Sequence, residues 1–298
     1  MSAAPFVVCN PVAGSGRGGR LLEPLLAALR SGGDVIHATS DGPGDEARLA
    51  RGAIEAGHDV VVALGGDGTW SNVAGAVLAA ERPVQLGLVP GGTGSDLAKT
   101  LGIPANDVEA CARIIRSGHT RAIDVGRVED GHFLNIAGFG YDVAVLEDSW
   151  RVKWLSGPPV YLYCAVRQLA SYVGFPVELQ ADGEAPRSRE LLMLIVANCR
   201  VFGGGFQIAP EADPADGRLD VMAFDNVGLL RRVGLMLGLL RGTHVRSASV
   251  EATRTAKLRL RFASPPAYEV DGEWRRAAGS ELEIGIVPRA LKVLVPHA

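Results

Sequence analysis

Apolar and polar positions alternate with two different periods along the chain, and the period changes near residue 120. Before that point, short continuous apolar runs predict buried parallel strands at 6–9, 34–38, 60–64 and 85–89. Stretches with helical spacing predict helices at 20–30, 45–56, 70–80, 97–101 and 106–117. This alternation of strand and helix predicts a doubly wound α/β domain over residues 1–120.

Strands dominate the sequence after Arg121. They are predicted at 122–128, 132–137, 177–181, 190–197, 219–224, 247–251, 256–262 and 281–286. Two helical segments, 161–172 and 227–241, interrupt them. Period-two alternation is clearest at 257–262, which is typical of a sheet with one buried face. We therefore expect a second domain over residues 121–287, an antiparallel sheet of the β-sandwich type.

Composition narrows the class of protein. The chain has 298 residues, 47% of them hydrophobic, which is enough for two modest domains without a disordered segment. Its formal net charge of −3 argues against a nucleic-acid-binding protein, which normally carries a basic excess. The four cysteines lack CxxC spacing, and no signal peptide or run of ~20 apolar residues is present. These features predict a cytoplasmic protein with reduced thiols and no zinc site.

Two glycine-rich turns that carry an acidic residue follow consecutive predicted strands. The first is Gly65-Gly66-Asp67-Gly68-Thr69, and the second is Pro90-Gly91-Gly92-Thr93-Gly94-Ser95-Asp96. Both open a helix, so their amides and the helix dipole favour an anion such as phosphate. A carboxylate would repel a bare phosphate, and we expect Asp67 and Asp96 to hold Mg²⁺ against a nucleotide. The alternative for Asp67 is an N-cap in a tight turn.

A third glycine-rich segment follows the first strand. Gly14, Gly16 and Gly19 match GxGxxG, which is a weak signal alone. No acidic residue for a dinucleotide ribose is clearly placed after the second strand, and the lysine of a P-loop is absent. From the residues alone, this segment is a candidate nucleotide loop and no more.

Together these motifs resemble the diacylglycerol kinase catalytic family, which includes sphingosine kinases, ceramide kinases and bacterial soluble lipid kinases. The resemblance rests on NPVAGSG (10–16), GGDGT (65–69), PGGTGSD (90–96) and VDGE (270–273), which occur in the family's order over nearly the whole chain. It implies a first domain like that of NAD kinases and phosphofructokinases, to which the tail 288–298 returns. It also implies that ATP and Mg²⁺ are cofactors and that a lipid is the substrate.

Site residues follow from the resemblance position by position. The implied nucleotide contacts are Asn10, Gly14, Thr39, Gly65, Gly66, Asp67, Gly68, Thr69, Gly92 and Thr93. For Thr39, a threonine that caps a turn is the alternative. Glu273 is expected to be the general base that accepts the proton of the lipid hydroxyl, with Asp271 orienting it. The alternative for both acids is an ordinary hairpin turn.

Further acids are candidate metal ligands. Asp124 lies between isoleucine and valine, and we expect it to organise hydrated Mg²⁺ with Asp67 and Asp96. A structural salt bridge is the alternative. The turn at 211–219 has oxygens suited to a hard cation. The resemblance implies a structural Mg²⁺ bound by Asp213, Asp216 and the carbonyl of Arg218, and the alternative is an Asp-Gly hairpin with solvated acids.

The expected activity is transfer of the γ-phosphoryl group of ATP to a lipid hydroxyl, in the cleft between the two domains. Two departures from the family pattern are Ser71-Asn72 in place of Asn-Glu, and Ser95 in place of Asn. The alternatives are a kinase for a soluble acceptor and a nucleotide-binding or lipid-binding regulator without activity.

A lipid substrate implies peripheral, transient contact with the membrane. We expect this contact at 227–241, through Arg231, Arg232 and the neighbouring leucines. The alternative for this segment is a helix packed on the second domain. The protein is also a possible homodimer, and the sequence leaves its oligomeric state open.

Overall fold

The computed structural model describes residues 4–152, 154 and 158–297, without the side chains at 158 and 159. It divides into two compact units, one made of Met1–Val125 with Pro288–Ala298 and the other of Gly126–Val287. Within the described residues, no helix has both the length and the apolar character needed to cross a bilayer.

The order of elements follows the two periods seen in the sequence. The first unit contains β1 (Phe6–Cys9), α1 (Ala13–Arg30), β2 (Ile36–Thr39), α2 (Asp45–Glu55), β3 (Val60–Gly65), α3 (Asp67–Leu78), β4 (Gln85–Pro90), α4 (Asp96–Thr100), α5 (Val108–Ser117) and the start of β5 (Thr120–Val128). The second contains β6 (Gly131–Phe133), β7 (Ile136–Gly140), α6 (Tyr141–Arg151), α7 (Pro158–Ser171), β8 (Phe175–Ala181), β9 (Arg187–Ala197), β10 (Leu219–Asp225), α8 (Leu229–Leu239), a 3₁₀ turn (His244–Arg246), β11 (Val250–Thr255), β12 (Lys257–Arg261), β13 (Ala267–Val270) and β14 (Glu273–Arg276). The last strand, β15 (Glu281–Leu294), begins in the second unit and ends in the first.

The first unit is a parallel sheet in the order β15, β4, β3, β1, β2. Cys9 pairs with both Thr39 and Leu64, and Gly65 pairs with Pro90. The carboxyl ends of β1 to β4 therefore lie along one edge of the sheet, as the sequence predicted. The expected return of the tail is also present, because Lys292 and Val293 near the end of β15 pair with β4.

Helix α1 begins earlier than the sequence indicated. The helix was predicted from residue 20, but it runs from Ala13 with an interruption at Gly14, Ser15 and Gly16. Their φ angles are 56°, 55° and 84°, so the chain makes a left-handed excursion before regular helix resumes. The glycines make this conformation accessible, and it places the first glycine-rich segment against the end of β1.

The second unit is antiparallel, in the order β14, β13, β7, β9, β8, β12, β15, with β10 and β11 joined through β9. Strand β9 is buried on both faces: Leu194 and Val196 point into one apolar core, and Ile195 points into another. The first core lies among strands, as in a β-sandwich, and the second is covered by helical residues such as Leu235. The sandwich-type domain predicted from alternation is thus confirmed.

Two local predictions in this unit were inaccurate. The strand predicted at 247–251 is a bend and a turn at 247–249, directly after the 3₁₀ turn, and β11 starts only at Val250. Helix α6 was not predicted, because its apolar residues are spread around the helix and do not form one stripe with a helical period. Its first residue, Tyr141, follows Gly140, whose φ of 96° allows the sharp change from strand to helix.

Candidate active site

Three glycine-rich loops meet at the carboxyl edge of the first sheet. The first glycine loop (10–19) follows β1, the second (65–69) follows β3 and the third (90–96) follows β4. Asn10, at the start of the first loop, donates its backbone N–H to the carbonyl of Leu64 at 2.9 Å. The amides of Gly91 and Gly92 donate to the carbonyl of Gly65 at 2.7 and 3.1 Å. The three loops are therefore joined through backbone hydrogen bonds.

Close backbone approach explains why these positions are glycines. A Cβ atom on Gly92 would lie 2.4 Å from the Cα of Gly66, and one on Gly14 would lie 2.3 Å from the carbonyl oxygen of Gly91. No side chain fits between backbones at these distances. Any substitution here would separate the loops, so the glycines serve the shape of the site.

Asp67 binds the third glycine loop. It is the first residue of α3, and its two carboxylate oxygens accept the amides of Ser95 at 2.8 Å and Asp96 at 3.0 Å. Ser95 has a φ of 55°, which aims both amides at Asp67. Burial and the neighbouring carboxylate of Asp96 raise the pKa of Asp67, and the amide donors act in the opposite direction.

Asp67 and Asp96 fit Mg²⁺ held mainly through water. Asp96 is buried, and its Oδ1 lies 3.1 Å from the ammonium of Lys99. The described residues contain no group of three or more acidic, histidine or cysteine side chains arranged to hold a metal. Mg²⁺ keeps several waters and commonly takes one or two carboxylates plus substrate phosphates. Because the negative charge of Asp96 adds to burial in raising the pKa of Asp67, a cation between the carboxylates and a nucleotide would relieve this repulsion.

Asp124 contacts the returning strand. It is fully buried, and its Oδ1 accepts the backbone N–H of Arg289 on β15 at 2.7 Å. Arg289 has a φ of 52°, so the carboxylate stabilises an unusual backbone conformation. This contact is a hydrogen bond to a backbone amide and does not test the salt bridge given as the alternative for Asp124, and a role in organising Mg²⁺ stays a prediction.

Asn10 joins the first and second glycine loops through its side chain. Its Nδ2 donates to Oγ1 of Thr69 at 3.1 Å and to Oε1 of Glu46 at 2.9 Å, and its Oδ1 accepts the N–H of Val12 at 3.2 Å. The amide nitrogen of Asn10 donates to two named partners, and its oxygen accepts from a third. Thr39, the remaining predicted contact outside the loops, is exposed at the end of β2.

In the second unit, the predicted catalytic acids lie on the hairpin between β13 and β14. Asp271 and Gly272 have φ angles of 49° and 87°, the left-handed pair of a type I′ turn. The carboxylate of Asp271 accepts the amides of Leu134, Asn135 and Ile136 at 2.8, 2.8 and 3.1 Å. Asp271 therefore fastens the hairpin tip to the bend between β6 and β7.

Glu273 differs from Asp271 in its surroundings. It is the first residue of β14, and 53% of its side chain is exposed. Its Oε2 lies 3.6 Å from the guanidinium of Arg275, an ion pair that solvent weakens. Of the two acids on the hairpin, Glu273 is the one whose carboxylate is accessible to a substrate.

Comparisons with known proteins agree with this geometry. Residues 4–128 match the diacylglycerol kinase catalytic domain, and residues 135–295 match the YegS C-terminal NAD kinase beta sandwich-like domain. A diacylglycerol kinase from Mycobacterium tuberculosis is 31% identical over 294 residues, which cover 97% of this chain and 94% of that relative. The chain belongs to the diacylglycerol kinase family.

Solved structures show the same fold. A Bacillus anthracis structure proposed to be a diacylglycerol kinase has a TM-score of 0.82 at 23% identity, covering 98% of this chain and 97% of its own. An NAD kinase from Archaeoglobus fulgidus in complex with ATP has a TM-score of 0.56 at 12% identity, covering 97% and 93%. The predicted kinship of the fold with NAD kinases is thereby confirmed, and the chain is a lipid kinase.

The sequence did not identify two buried acids in this lipid kinase that lie beneath the hairpin. Glu269 on β13 and Asp142 at the start of α6 are both nearly inaccessible to solvent. Burial raises the pKa of Asp142 to about 7, and burial together with Asp142 raises the pKa of Glu269 well above its usual range. Burial therefore favours the protonated form of this pair of carboxyl groups. Asp142 lies in the NIAGFGYD segment, which gave no specific chemical signal.

The turn predicted to bind a structural cation folds through its own hydrogen bonds. Oδ1 of Asp213 accepts the amide of Ala215 at 3.1 Å, and Oδ1 of Asp216 accepts the amide of Arg218 at 2.9 Å. The guanidinium of Arg218 lies 3.0 Å from the carboxylate of Asp182. These are Asx-type turns and not the Asp-Gly hairpin given as the alternative, because among the described residues no strand directly before the turn pairs with β10. A Mg²⁺ at this turn of the lipid kinase stays a prediction.

The prediction that Arg232 meets lipid headgroups was wrong. Arg232 is buried, and its guanidinium donates to the carbonyls of Leu169, Tyr172 and Val227 and to Oδ1 of Asn226, at 2.7 to 2.9 Å. It therefore fastens α8 to the carboxyl end of α7. The preceding Arg231 is exposed.

Proposed function

We propose that this lipid kinase transfers the γ-phosphoryl group of ATP to the hydroxyl of a diacylglycerol-like or long-chain-base-like lipid. The observation that supports the proposal most is the joining of three glycine loops at one sheet edge, with Asp67 bound to the amides of the third. Such loops favour phosphate through their amides, and helix dipoles add to this. The nucleotide contacts are Asn10, Gly14, Thr39, Gly65, Gly66, Asp67, Gly68, Thr69, Gly92 and Thr93.

Asp67 and Asp96 would hold Mg²⁺, with Asp124 as a further candidate. When bound, the cation neutralises charge that develops on the phosphates during transfer. Asp67 also keeps the amides of Ser95 and Asp96 in place, so it fixes the third loop whether or not a nucleotide is present. Glycines in the loops allow phosphate oxygens to approach the backbone closely.

On the acceptor side, Glu273 is the proposed general base. As the lipid oxygen forms its bond to the γ-phosphorus, the bond from that phosphorus to the β–γ bridging oxygen breaks and ADP keeps the electron pair. The proton of the lipid hydroxyl passes to a carboxylate oxygen of Glu273. Asp271 keeps the hairpin that carries Glu273 in position through three amides. The location of this chemistry between the two domains stays a prediction.

A lipid acceptor requires contact with a bilayer, and α7 and α8 carry an exposed apolar surface. It is formed by Leu162, Val166, Leu230, Val233 and Leu237, which are between 41% and 88% exposed. The two helices pack against each other, and Arg231 on α8 and Arg241, two residues after the end of α8, are exposed. Leucines that enter the headgroup region beside arginines that meet anionic lipids are typical of interfacial helices. We propose that this surface binds the bilayer transiently and that the kinase is otherwise cytoplasmic.

Cosedimentation with vesicles rich in anionic lipid tests the proposed surface. Leu230→Glu with Leu237→Glu should reduce binding at least tenfold and leave phosphorylation of a dispersed short-chain lipid unchanged. Ile36→Glu, which changes an exposed apolar residue of β2, is the matched control. Equal vesicle binding by all proteins would refute the surface. If the double variant instead turned a dimer into a monomer, the surface would be a homodimer interface.

The proposed reaction is tested by offering a panel of acceptors with ATP and Mg²⁺ and identifying products by mass spectrometry. The panel contains diacylglycerol, sphingosine and ceramide, with NAD⁺ and sugar phosphates as soluble acceptors. A phosphorylated lipid, formed only with Mg²⁺ present, is the expected product. Phosphorylated NAD⁺ or sugar and unchanged lipids would contradict the proposal.

A further inference from the structure

Glu46 is a buried carboxylate that the motifs do not explain. It is the second residue of α2 and is 2% exposed. Its Oε1 accepts Nδ2 of Asn10 at 2.9 Å and Oγ of Ser40 at 3.2 Å, and its Oε2 lies 3.3 Å from Nδ2 of Asn72. All three partners are donors, and each comes from a different element: the first glycine loop, the end of β2 and α3.

A charged carboxylate next to a phosphate site would oppose the nucleotide if it faced the phosphates directly. Here its charge is compensated by three donors and by the amino-terminal end of the α2 dipole. Burial without these partners would cost several kcal/mol. The carboxylate of Glu46 therefore holds neutral polar groups in place and does not bind the ligand itself.

The group that Glu46 controls most directly is the amide of Asn10. That amide also donates to Thr69 of the second loop at 3.1 Å, and its oxygen accepts the N–H of Val12. With a carboxylate on one side, only the NH₂ end of Asn10 can face Glu46 and Thr69. Glu46 thus fixes the orientation of Asn10 and, through it, the spacing between the first and second glycine loops.

We propose that Glu46 is a positioning residue for the nucleotide: it keeps Asn10, Ser40 and Asn72 in the arrangement that joins the first and second glycine loops. The inference rests on the proposed use of these loops for ATP. Position 72 is also where the chain departs from the family pattern, with an amide in place of a glutamate. In this chain, the carboxylate at that point of the structure is supplied from α2.

The decisive test moves the carboxylate from position 46 to position 72. Because the amide of Asn72 lies 3.3 Å from the carboxylate of Glu46, a glutamate at position 72 can place its carboxylate near the same donors. Glu46→Ala should weaken ATP binding at least tenfold. Asn72→Glu alone should also weaken it, since two carboxylates would then adjoin. The double variant should bind ATP within about threefold of the wild type.

Glu46→Gln is a second variant with nearly unchanged size. Its amide nitrogen would face the donors of Asn10, Ser40 or Asn72, so at least one hydrogen bond would be replaced by a donor facing a donor. We expect the dissociation constant for ATP to rise about tenfold, with the KM for lipid unchanged and kcat affected less than KM for ATP. Glu55→Gln, at the exposed end of the same helix, is the matched control and should change neither.

ATP binding is measured by calorimetry and folding by thermal melting on the full chain. If wild-type protein bound no ATP, the proposed function itself would fail. If the wild type bound ATP and both Glu46 variants bound it equally well, only the positioning role would be refuted. Variants that fail to fold, or a double variant that regains melting temperature but not ATP affinity, would make Glu46 purely structural and overturn the inference.

Discussion

Asp271 provides a test that separates the framework of the hairpin from its chemistry. Its carboxylate accepts three backbone amides at 2.8, 2.8 and 3.1 Å. A hydrogen bond to a charged group contributes roughly 1.5–3 kcal/mol, and an unsatisfied buried donor costs about as much. Because Asp271 is partly exposed, water replaces some of this loss. We therefore expect Asp271→Ala to lower the free energy of unfolding by about 2–4 kcal/mol.

Asp271→Asn should lower the free energy of unfolding by less than Asp271→Ala does. The amide keeps one acceptor oxygen, so we expect a smaller loss of about 1–2 kcal/mol. Unfolding is followed in urea through tryptophan fluorescence, because Trp274 on β14 lies edge-on to Trp150 at 5.9 Å and reports on the hairpin. The shift in midpoint, at constant slope, gives the change in stability.

Glu273→Gln is the control at the same hairpin. Its side chain is exposed, so the free energy of unfolding should change by less than about 0.5 kcal/mol while kcat falls. The reasoning would be refuted if Asp271→Ala unfolded at the wild-type urea concentration. It would also be refuted if Glu273→Gln were the less stable of the two variants.

Three further predictions follow from other contacts. Asp67→Asn should lower turnover about 10²-fold and lower the melting temperature slightly, because its amide keeps one of the two acceptor oxygens. Asp67→Ala should lower the melting temperature further, because it releases both amides of the third loop. Asp142→Asn should change how stability depends on pH. The wild-type carboxyl keeps its proton in the folded state up to about pH 7 but loses it near pH 4 when unfolded. Wild-type stability therefore falls by up to ~1.4 kcal/mol per pH unit as pH rises through this window. In urea titrations the variant should gain on the wild type from about pH 4 to pH 7 and no further above it. Arg232→Met should cost about 3 kcal/mol or more in unfolding free energy by releasing four acceptors, whereas Arg231→Met should leave the urea midpoint unchanged; equal midpoints for the two variants would contradict the assigned contacts.

Much of the first unit could be predicted because its signals are local. Apolar runs of strand length ended in glycine turns, and parallel strands place their carboxyl ends at one edge, so the gathering of Gly65, Gly91 and Asn10 followed from topology alone. The resemblance of the motifs added the reaction type. The change of period near residue 120 likewise gave the second domain.

The rest depends on contacts between residues distant in sequence. The bonds of Asp67 to the amides of Ser95 and Asp96 could not be read from GGDGT, because the two partners lie in the next glycine loop. Glu46 looked like an ordinary acid in the first turn of a helix, and only the fold shows its three donors. Arg231 and Arg232 were both predicted to contact the membrane, because helical period alone does not decide which of two adjacent residues faces α7.

The proposed function depends most on phosphoryl transfer from ATP to a lipid hydroxyl with Glu273 as the base. The most direct measurement follows radiolabel from the γ-phosphate of ATP into lipid, with vesicles containing diacylglycerol, for the wild type and for Glu273→Gln across a pH series. We expect labelled lipid with the wild type, a kcat about 10²-fold lower in the variant and an unchanged dissociation constant for ATP. Wild-type turnover by Glu273→Gln, or label that enters only soluble acceptors, would contradict it.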